Sequence, residues 1–207
     1  MSYRESNAIN TGIMQSPLRL CYDESKVDKE IKDKYKQIYK RWYDMHYRCY
    51  SKKLHERYPT YIGCSVCEEW HDFNNFLEWY KVNYYEVEIN GKKSKMDLDK
   101  DILSKGNKVY CPEFCTFVPH EINTMFINGT RNRGEYPLGV WLDCKNNKFR
   151  ANIGSKKLGT FNTVKQAFAA YKKEKEKQIK ELAKKYKNQI PNKLYNAMVH
   201  WKIEITD

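Results

Sequence analysis

Three carboxylates, Asp97, Asp99 and Asp101, stand at alternate positions of the segment MDLDKD, and Asn107 follows in a stretch rich in turn residues. Alternate residues of a strand share one face. Acids in that pattern can offer oxygens to a single hard cation, since Mg2+ or Mn2+ is held by one or two carboxylates together with water and phosphate oxygens. Asp99, helped by Asp97 or Asp101, is the candidate metal set; hydrated loop charge is the plainer explanation of the same run. Two cysteine pairs, Cys64-Ser-Val-Cys67 and Cys111-Pro-Glu-Phe-Cys115, have a spacing that could give four thiolates to Zn2+. Against zinc, the pairs lie far apart in the chain, Val66 is apolar, and neither pair carries the glycine that lets a metal knuckle turn. A third group is Trp141, Asp143, Arg150, Asn152 and Lys157, which alternation places on one side of three short strands. Arg and Asn side chains have the geometry to read guanine and adenine edges, and lysine suits phosphate. A solvated sheet face is the plainer alternative.

These groups need elements to hold them. From Lys26 to about Arg57 there is no Gly or Pro, and Val27, Ile31, Tyr35, Ile38, Trp42, Met45 and Cys49 recur at three- and four-residue steps, which predicts an amphipathic helix. Helical spacing returns from Glu68 to Val82 through Trp70, Phe73, Phe76, Leu77 and Tyr80, aromatics read as core. Tyr84 to Ile89 alternates like a strand and closes on the turn pair Asn90-Gly91. Asp97 to Phe117 reads strand, loop, strand, and Pro119 sits where proline favours the first turn of a helix running to Phe126. The Gly/Asn/Arg segment 128–137 is the best domain boundary. After the three strands, Thr163 can cap a helix from Val164 to about Asn188, which Pro191 ends. Phe149, Ala151 and Ile153 fall on the sheet face that meets Ala167, Phe168, Ala170 and Tyr171, together with Val140, Leu142, Leu158 and Phe161. The first 25 residues read as an arm able to dock through Leu18, Leu20 and Tyr22, and the tail can pack back through Tyr195, Met198, Trp201 and Ile203.

Composition limits what such a chain is for. The 38 Lys and Arg outnumber 26 Asp and Glu, a net charge of +12, so a polyanion is the favoured partner and an acidic mimic of nucleic acid is excluded by sign. No apolar run approaches the ~20 residues that span a bilayer, and MSYRESNAIN lacks the apolar core of a signal peptide. The expectation is a cytoplasmic protein that takes no part in a membrane. Seven scattered cysteines, an odd number, then read as reduced thiols, with Cys21, Cys49 and Cys144 as packing residues. There is no glycine-rich phosphate loop and no Gly-x-Ser-x-Gly elbow, so nucleotide hydrolysis and acyl transfer find no support.

The stretch Gly139 to Tyr171, with Lys148-Phe-Arg-Ala151, Ile153 and the Leu158-Gly-Thr-Phe-Asn-Thr163 core before an Ala-rich helix, resembles the Apetala-type (ethylene-response-factor-type) DNA-binding domain over residues 136 to 188. The resemblance implies that the open sheet face enters the major groove of double-stranded DNA, with Gly139, Trp141, Asp143, Arg150, Asn152 and Lys157 at the contact positions. The plant domains place arginines on the first strand where this chain has Trp141 and Asp143, so no base preference carries over. Upstream, Trp42, Met45, Arg48 and Cys49, then YIGCSVCEEWHDFNNF, then LDKDILSKGNKVYCPEFCTFVPHEIN, look like the phage HNH-type homing endonucleases. Their site strand ends in Asp-His, the Asp holding a metal and the His acting as general base. That likeness puts Asp99 at the metal aspartate, Lys100 at the histidine and Phe114 at a distal ligand asparagine. A lysine with the ordinary pKa of ~10.4 is protonated at neutral pH and takes no proton from water unless burial lowers it greatly.

The expectation is an α+β protein. Residues 1–25 form an arm, 26–127 hold helices and an HNH-like strand-loop-strand-helix module, and 128–137 link to an Apetala-type module at 138–190. That module is a small three-stranded antiparallel sheet packed on one helix, and 191–207 form a tail. Two readings of function stay open. One is DNA phosphodiester hydrolysis with Mg2+ or Mn2+ on Asp99, Asp97 and Asp101, with Lys100 or His120 as base and Asn107, His120 or Asn123 recruited to the metal. The other is a nuclease-derived DNA-binding protein that no longer cuts. Zn2+ on Cys64, Cys67, Cys111 and Cys115 is the lesser cofactor expectation, and the sequence leaves the oligomeric state open.

Overall fold

A computed structural model of the chain describes residues 29–126 and 135–207. The arm expected at 1–25 and most of the linker expected at 128–137 therefore lie outside the described residues. Helices and short strands mix as an α+β chain, and contacts divide it into two compact units. The first holds the described residues through Glu86 together with Met96–Phe117, and the second holds Val87–Lys95 and the described residues from Val118 on. The break thus falls ahead of the expected linker. Helix His120–Phe126, expected in the upstream module, groups with the C-terminal one.

In the first unit, α1 (Lys29–Tyr50) and α2 (Lys52–Arg57) replace the single helix expected through Arg57. Ser51 leaves helical geometry between them, and its hydroxyl accepts from the Leu54 N–H, so the break caps the second piece. The periodic face of α1 is the core: Ile38, Trp42, Met45 and Cys49 are all buried. Trp42 donates its indole N–H to the Trp70 carbonyl at 2.7 Å, which fastens α1 to the segment before α3 (Phe73–Asn83). Asp72 caps α3 by accepting from Asn74 N at 2.8 Å, and Phe73, Phe76, Leu77 and Tyr80 face inward as their spacing requires. Each such apolar side chain contributes roughly 1.5–3 kcal/mol when fully buried.

Strands here are short. β1 (Ser65–Val66) pairs in parallel with β5 (Val109–Tyr110), and β4 (Met96–Asp99) pairs with β6 (Thr116–Pro119). The strand expected from Tyr84 shrinks to β2 (Glu88–Ile89), which forms a hairpin with β3 (Lys92–Lys93). Asn90 and Gly91 both hold positive φ at its turn, 52° and 73°, as a two-residue hairpin demands. Pro119 ends β6, and α4 (His120–Phe126) begins one residue later.

The second unit is built on an antiparallel sheet of order β7 (Val140–Asp143), β8 (Lys148–Ile153), β9 (Lys156–Phe161), packed on α5 (Val164–Tyr186). Thr163 caps α5, accepting from Gln166 N at 3.2 Å. Val140 and Ala151 meet Ala167, Phe168 and Tyr171 in the core between sheet and helix. The tail forms α6 (Asn192–Val199), whose Leu194 and Met198 are fully buried, and Trp201 meets the Phe126 ring edge-on at 4.7 Å. Glu121 of α4 accepts from Lys185 and from the Tyr186 hydroxyl, tying α4 to the end of α5. No described helix is long and apolar enough to cross a membrane.

Gly139, expected at a DNA-contact position, is required by packing. Its φ is +70°, and a Cβ there would lie 2.1 Å from the Tyr171 ring and 2.8 Å from the Asn152 carbonyl. Gly139→Ala combines left-handed strain with a clash against a buried ring. It is expected to lower unfolding stability by about 2–4 kcal/mol in urea denaturation, whether or not DNA is present.

Candidate functional site

The acidic run sits where β4 ends. Asp97 and Asp99 alternate with buried Met96 and Leu98, so both point to the opposite side of the strand, half-buried. After Asp99 the chain turns. Asp99 Oδ1 accepts from the backbone N–H of Asp101 at 3.0 Å and of Ile102 at 2.7 Å, so one carboxylate oxygen is committed to holding the turn. Burial, and then the neighbouring Asp101 carboxylate, push the Asp99 carboxyl up to about 6.

Lys100 does not point into water between these acids. Its residue is only 8% exposed, its ammonium lies 3.1 Å from Asp101 Oδ2, and the Tyr110 ring is 5.8 Å below. Burial alone would lower its pKa. Asp101, then Cys64 and Asp99, outweigh that effect, and the ammonium stands above the ordinary lysine value. The direction is opposite to the lowered pKa that a lysine base would need.

Asn107 is likewise spent. Its side-chain amide donates to the carbonyls of Lys100 and Val109, both at 2.7 Å, and its oxygen accepts from Val109 N at 3.2 Å. It staples the two ends of the loop that follows β4, a structural role that the turn-rich sequence did not announce. His120 opens α4 in the second unit, where its backbone N–H donates to the Lys95 carbonyl, and it is exposed. Phe114 is also exposed, in the loop before β6. Asp99, Lys100, Asp101 and Asn107 are thus one local constellation, and His120 belongs to a different unit.

The parallel ladder of β1 and β5 brings the two cysteine pairs together. Val66 is opposite Tyr110, and Cys67 N donates to the Tyr110 carbonyl at 2.9 Å. The thiols nevertheless split. Cys64 is buried with its Sγ toward the Thr60 carbonyl at 3.9 Å, Cys115 is buried, and Cys67 stays partly exposed. Among the described residues, no three His, Cys, Asp or Glu side chains are placed together as a metal cage, at the acidic turn or at the thiols. As arranged, one Asp99 oxygen is bonded to backbone, a lysine ammonium lies against Asp101, and the Cys64 thiol is turned toward the Thr60 carbonyl. The described cysteines are all free thiols. Burial pushes Cys49 up to about 12 and raises Cys115 well above the ordinary value, so these two are packing thiols and not nucleophiles.

The second unit presents the basic face. Register sets Trp141, Arg150 and Thr160 in one cross-strand row, Asp143 and Lys148 in another, and Asn152 beside Lys157. By strand parity Trp141, Arg150 and Asn152 share the face opposite Ala151, with Lys148 and Thr160 at its edge beside Gln166 and Ala170 of α5. Trp141 is 38% exposed, and Arg150, Lys148, Lys157 and Thr160 are exposed too. Lys148 and Thr160 are the residues that sequence reasoning missed, although their parity with Arg150 was there to use. A bulge decides the rest: Ala151 faces Gly159 while Asn152 faces Lys157, which leaves Leu158 as the extra residue. Lys157 and Phe161, expected on opposite faces, are an even number of residues apart, and it is the bulge that allows Lys157 to reach the open face.

Asp143 behaves differently from its neighbours. It is 9% exposed, and it accepts from Asn146 Nδ2 at 2.9 Å, from Lys145 N and from the Arg150 guanidinium. The Asn146 amide, the Lys145 N–H and Arg150 together hold its carboxyl below the usual carboxylate range in spite of burial. It clamps Arg150 across the strands and has no free carboxylate to offer a base.

Asp99 carries a pH signature with a definite sign. Its carboxyl ionises near 3.8 in the unfolded chain and near 6 in the folded one, so its contribution to stability is full below about pH 3.8 and is lost as pH rises through about 6. Asp99→Asn keeps the acceptor oxygen of the turn and removes the ionisation. Thermal unfolding followed by circular dichroism is expected to find the variant more stable than the natural chain by about 1–3 kcal/mol at pH 7.5, with the advantage shrinking toward pH 4.5. No protein-family model, curated protein or solved structure matches this chain.

Proposed function

We propose that this chain binds double-stranded DNA through the open face of β7, β8 and β9, and that it does so without cutting the DNA. The observation that carries the reading is the composition of that face in register. An exposed Trp141, an Arg150 whose guanidinium is oriented by Asp143, Thr160, Asn152, Lys148 and Lys157 form one uncovered layer on a chain of net charge +12. An aromatic, a pre-oriented guanidinium, an amide and two ammonium groups are what groove and phosphate contacts use. An arginine held by a carboxylate behind it loses less side-chain freedom on binding than an unheld one. The Apetala-type resemblance points to the same face.

Absence of cleavage is supported by the first unit. A hydrolytic site needs a base able to take a proton and a cation to meet the developing charge. Lys100 is charged and Asn107 is bound to backbone. A second reading, metal-dependent hydrolysis at Asp99, draws on one observation: an Asp99 carboxyl pushed up to about 6 beside Asp101 is crowded enough to welcome a cation.

Supercoiled plasmid incubated with the protein and Mg2+ or Mn2+ separates the two. The expected result is retarded but intact DNA, with the same pattern for Asp99→Ala; nicking that disappears in Asp99→Ala decides for hydrolysis. In a gel-shift titration, Arg150→Ala with Lys157→Ala is expected to weaken binding about tenfold or more and to reduce the dependence on salt by roughly one to two counterions. Unchanged affinity takes the sheet out of the reading.

A further inference from the structure

We propose that Lys100 is a tethered cation, supplied by the chain itself in place of a divalent metal at the Asp99 and Asp101 turn, and that its ammonium keeps such a metal out. Asp99 Oδ1 takes the N–H groups of Asp101 and Ile102, which closes a turn at whose bend Lys100 lies buried against the Asp101 carboxylate. A lysine ammonium is strongly hydrated and is seldom buried unless opposite charge meets it. Here it lies 3.1 Å from Asp101 Oδ2 and over the Tyr110 ring, with 8% of the residue exposed. The loop is then locked around it, since Asn107 binds the carbonyl of Lys100 itself.

A hard divalent ion would have to sit ~2.0–2.6 Å from carboxylate oxygens. The ammonium already occupies the near side of Asp101, and like charge strongly repels a second cation at that range. Replacing the ammonium by a neutral side chain of similar length leaves two crowded carboxylates without a counter-charge, which is the condition that recruits a hard ion. The turn and the sheet face lie in different units, and metal occupancy of the one and DNA binding by the other are measured separately.

The test is equilibrium dialysis of the full chain against Mn2+, paired with thermal unfolding with and without Mn2+. The natural chain is expected to take up no stoichiometric Mn2+ and to melt at the same temperature in its presence. Lys100→Met is expected to melt lower in metal-free buffer, to recover on adding Mn2+, and to bind one equivalent; adding Asp101→Asn should abolish both effects. Lys100→Arg, which keeps the charge, should fold and ignore Mn2+. Stoichiometric Mn2+ on the natural chain that is lost in Asp99→Asn overturns the proposal, as does Mn2+ binding by Lys100→Arg. A Lys100→Met chain that Mn2+ neither binds nor stabilises overturns it as well, including one that stays unfolded when Mn2+ is added. Dialysis of the natural chain tests the exclusion of metal by itself, without any variant.

Discussion

An ammonium taken out of water has to find its charge again, and around Lys100 that requirement organises the first unit. The lysine comes at the end of β4, where the chain reverses around the Asp99 carboxylate and Asp101 meets the ammonium. The reversal is held at its far end by Asn107, and Tyr110 of β5 supplies the ring beneath the ammonium. Behind it, Trp42 of α1 donates to the Trp70 carbonyl and buried aromatics of α3 complete the core. The ammonium is buried while the Asp101 carboxylate stays half exposed, so removing Asp101 would leave the lysine charge bare.

The second unit solves a different problem with similar means. A sheet covered on one side by α5 leaves polar side chains on the other, and a small basic layer would ordinarily be a set of mobile, independently hydrated groups. Asp143 changes that for Arg150, because a nearly buried carboxylate, fixed by Asn146 and the Lys145 N–H, fixes the guanidinium in turn. Lys156 is tied to Glu174 of α5 and leaves the face to Lys157. The DNA-binding reading draws on that order, and the non-cleaving reading on the turn after β4; each has its own physical basis.

Much of this was legible in the residues. The helical spacing of Ile38, Trp42, Met45 and Cys49, the aromatic core of α3, the Asn90-Gly91 hairpin, the Thr163 cap and the parity of Phe149 and Ala151 are local signals, and each has its expected place in the structure. Local signals failed where a single residue changes the path of the chain. Ser51 splits the first helix by capping its second part, and no break in apolar period announces it. The strand expected from Tyr84 is only two residues long, because Tyr84, at the end of α3, donates its N–H to the Tyr80 carbonyl, a helical bond and not a ladder bond.

What the sequence determined by itself is the charge balance, the identity of the acids and bases, and the faces of the regular elements, because periodicity and side-chain type act over a few residues. The tertiary structure alone decided which of those groups are available. The Asp101 carboxylate outweighs burial and holds Lys100 as a cation, hydrogen bonds to the Lys100 and Val109 carbonyls consume the Asn107 amide, the bulge at Leu158 sets Lys157 on the open face, and pairing across β7 and β8 makes Asp143 a clamp. Each outcome depends on how the turn or ladder places a partner against the side chain, so the protonation state and accessibility of these groups are properties of the folded environment and not of the residue alone.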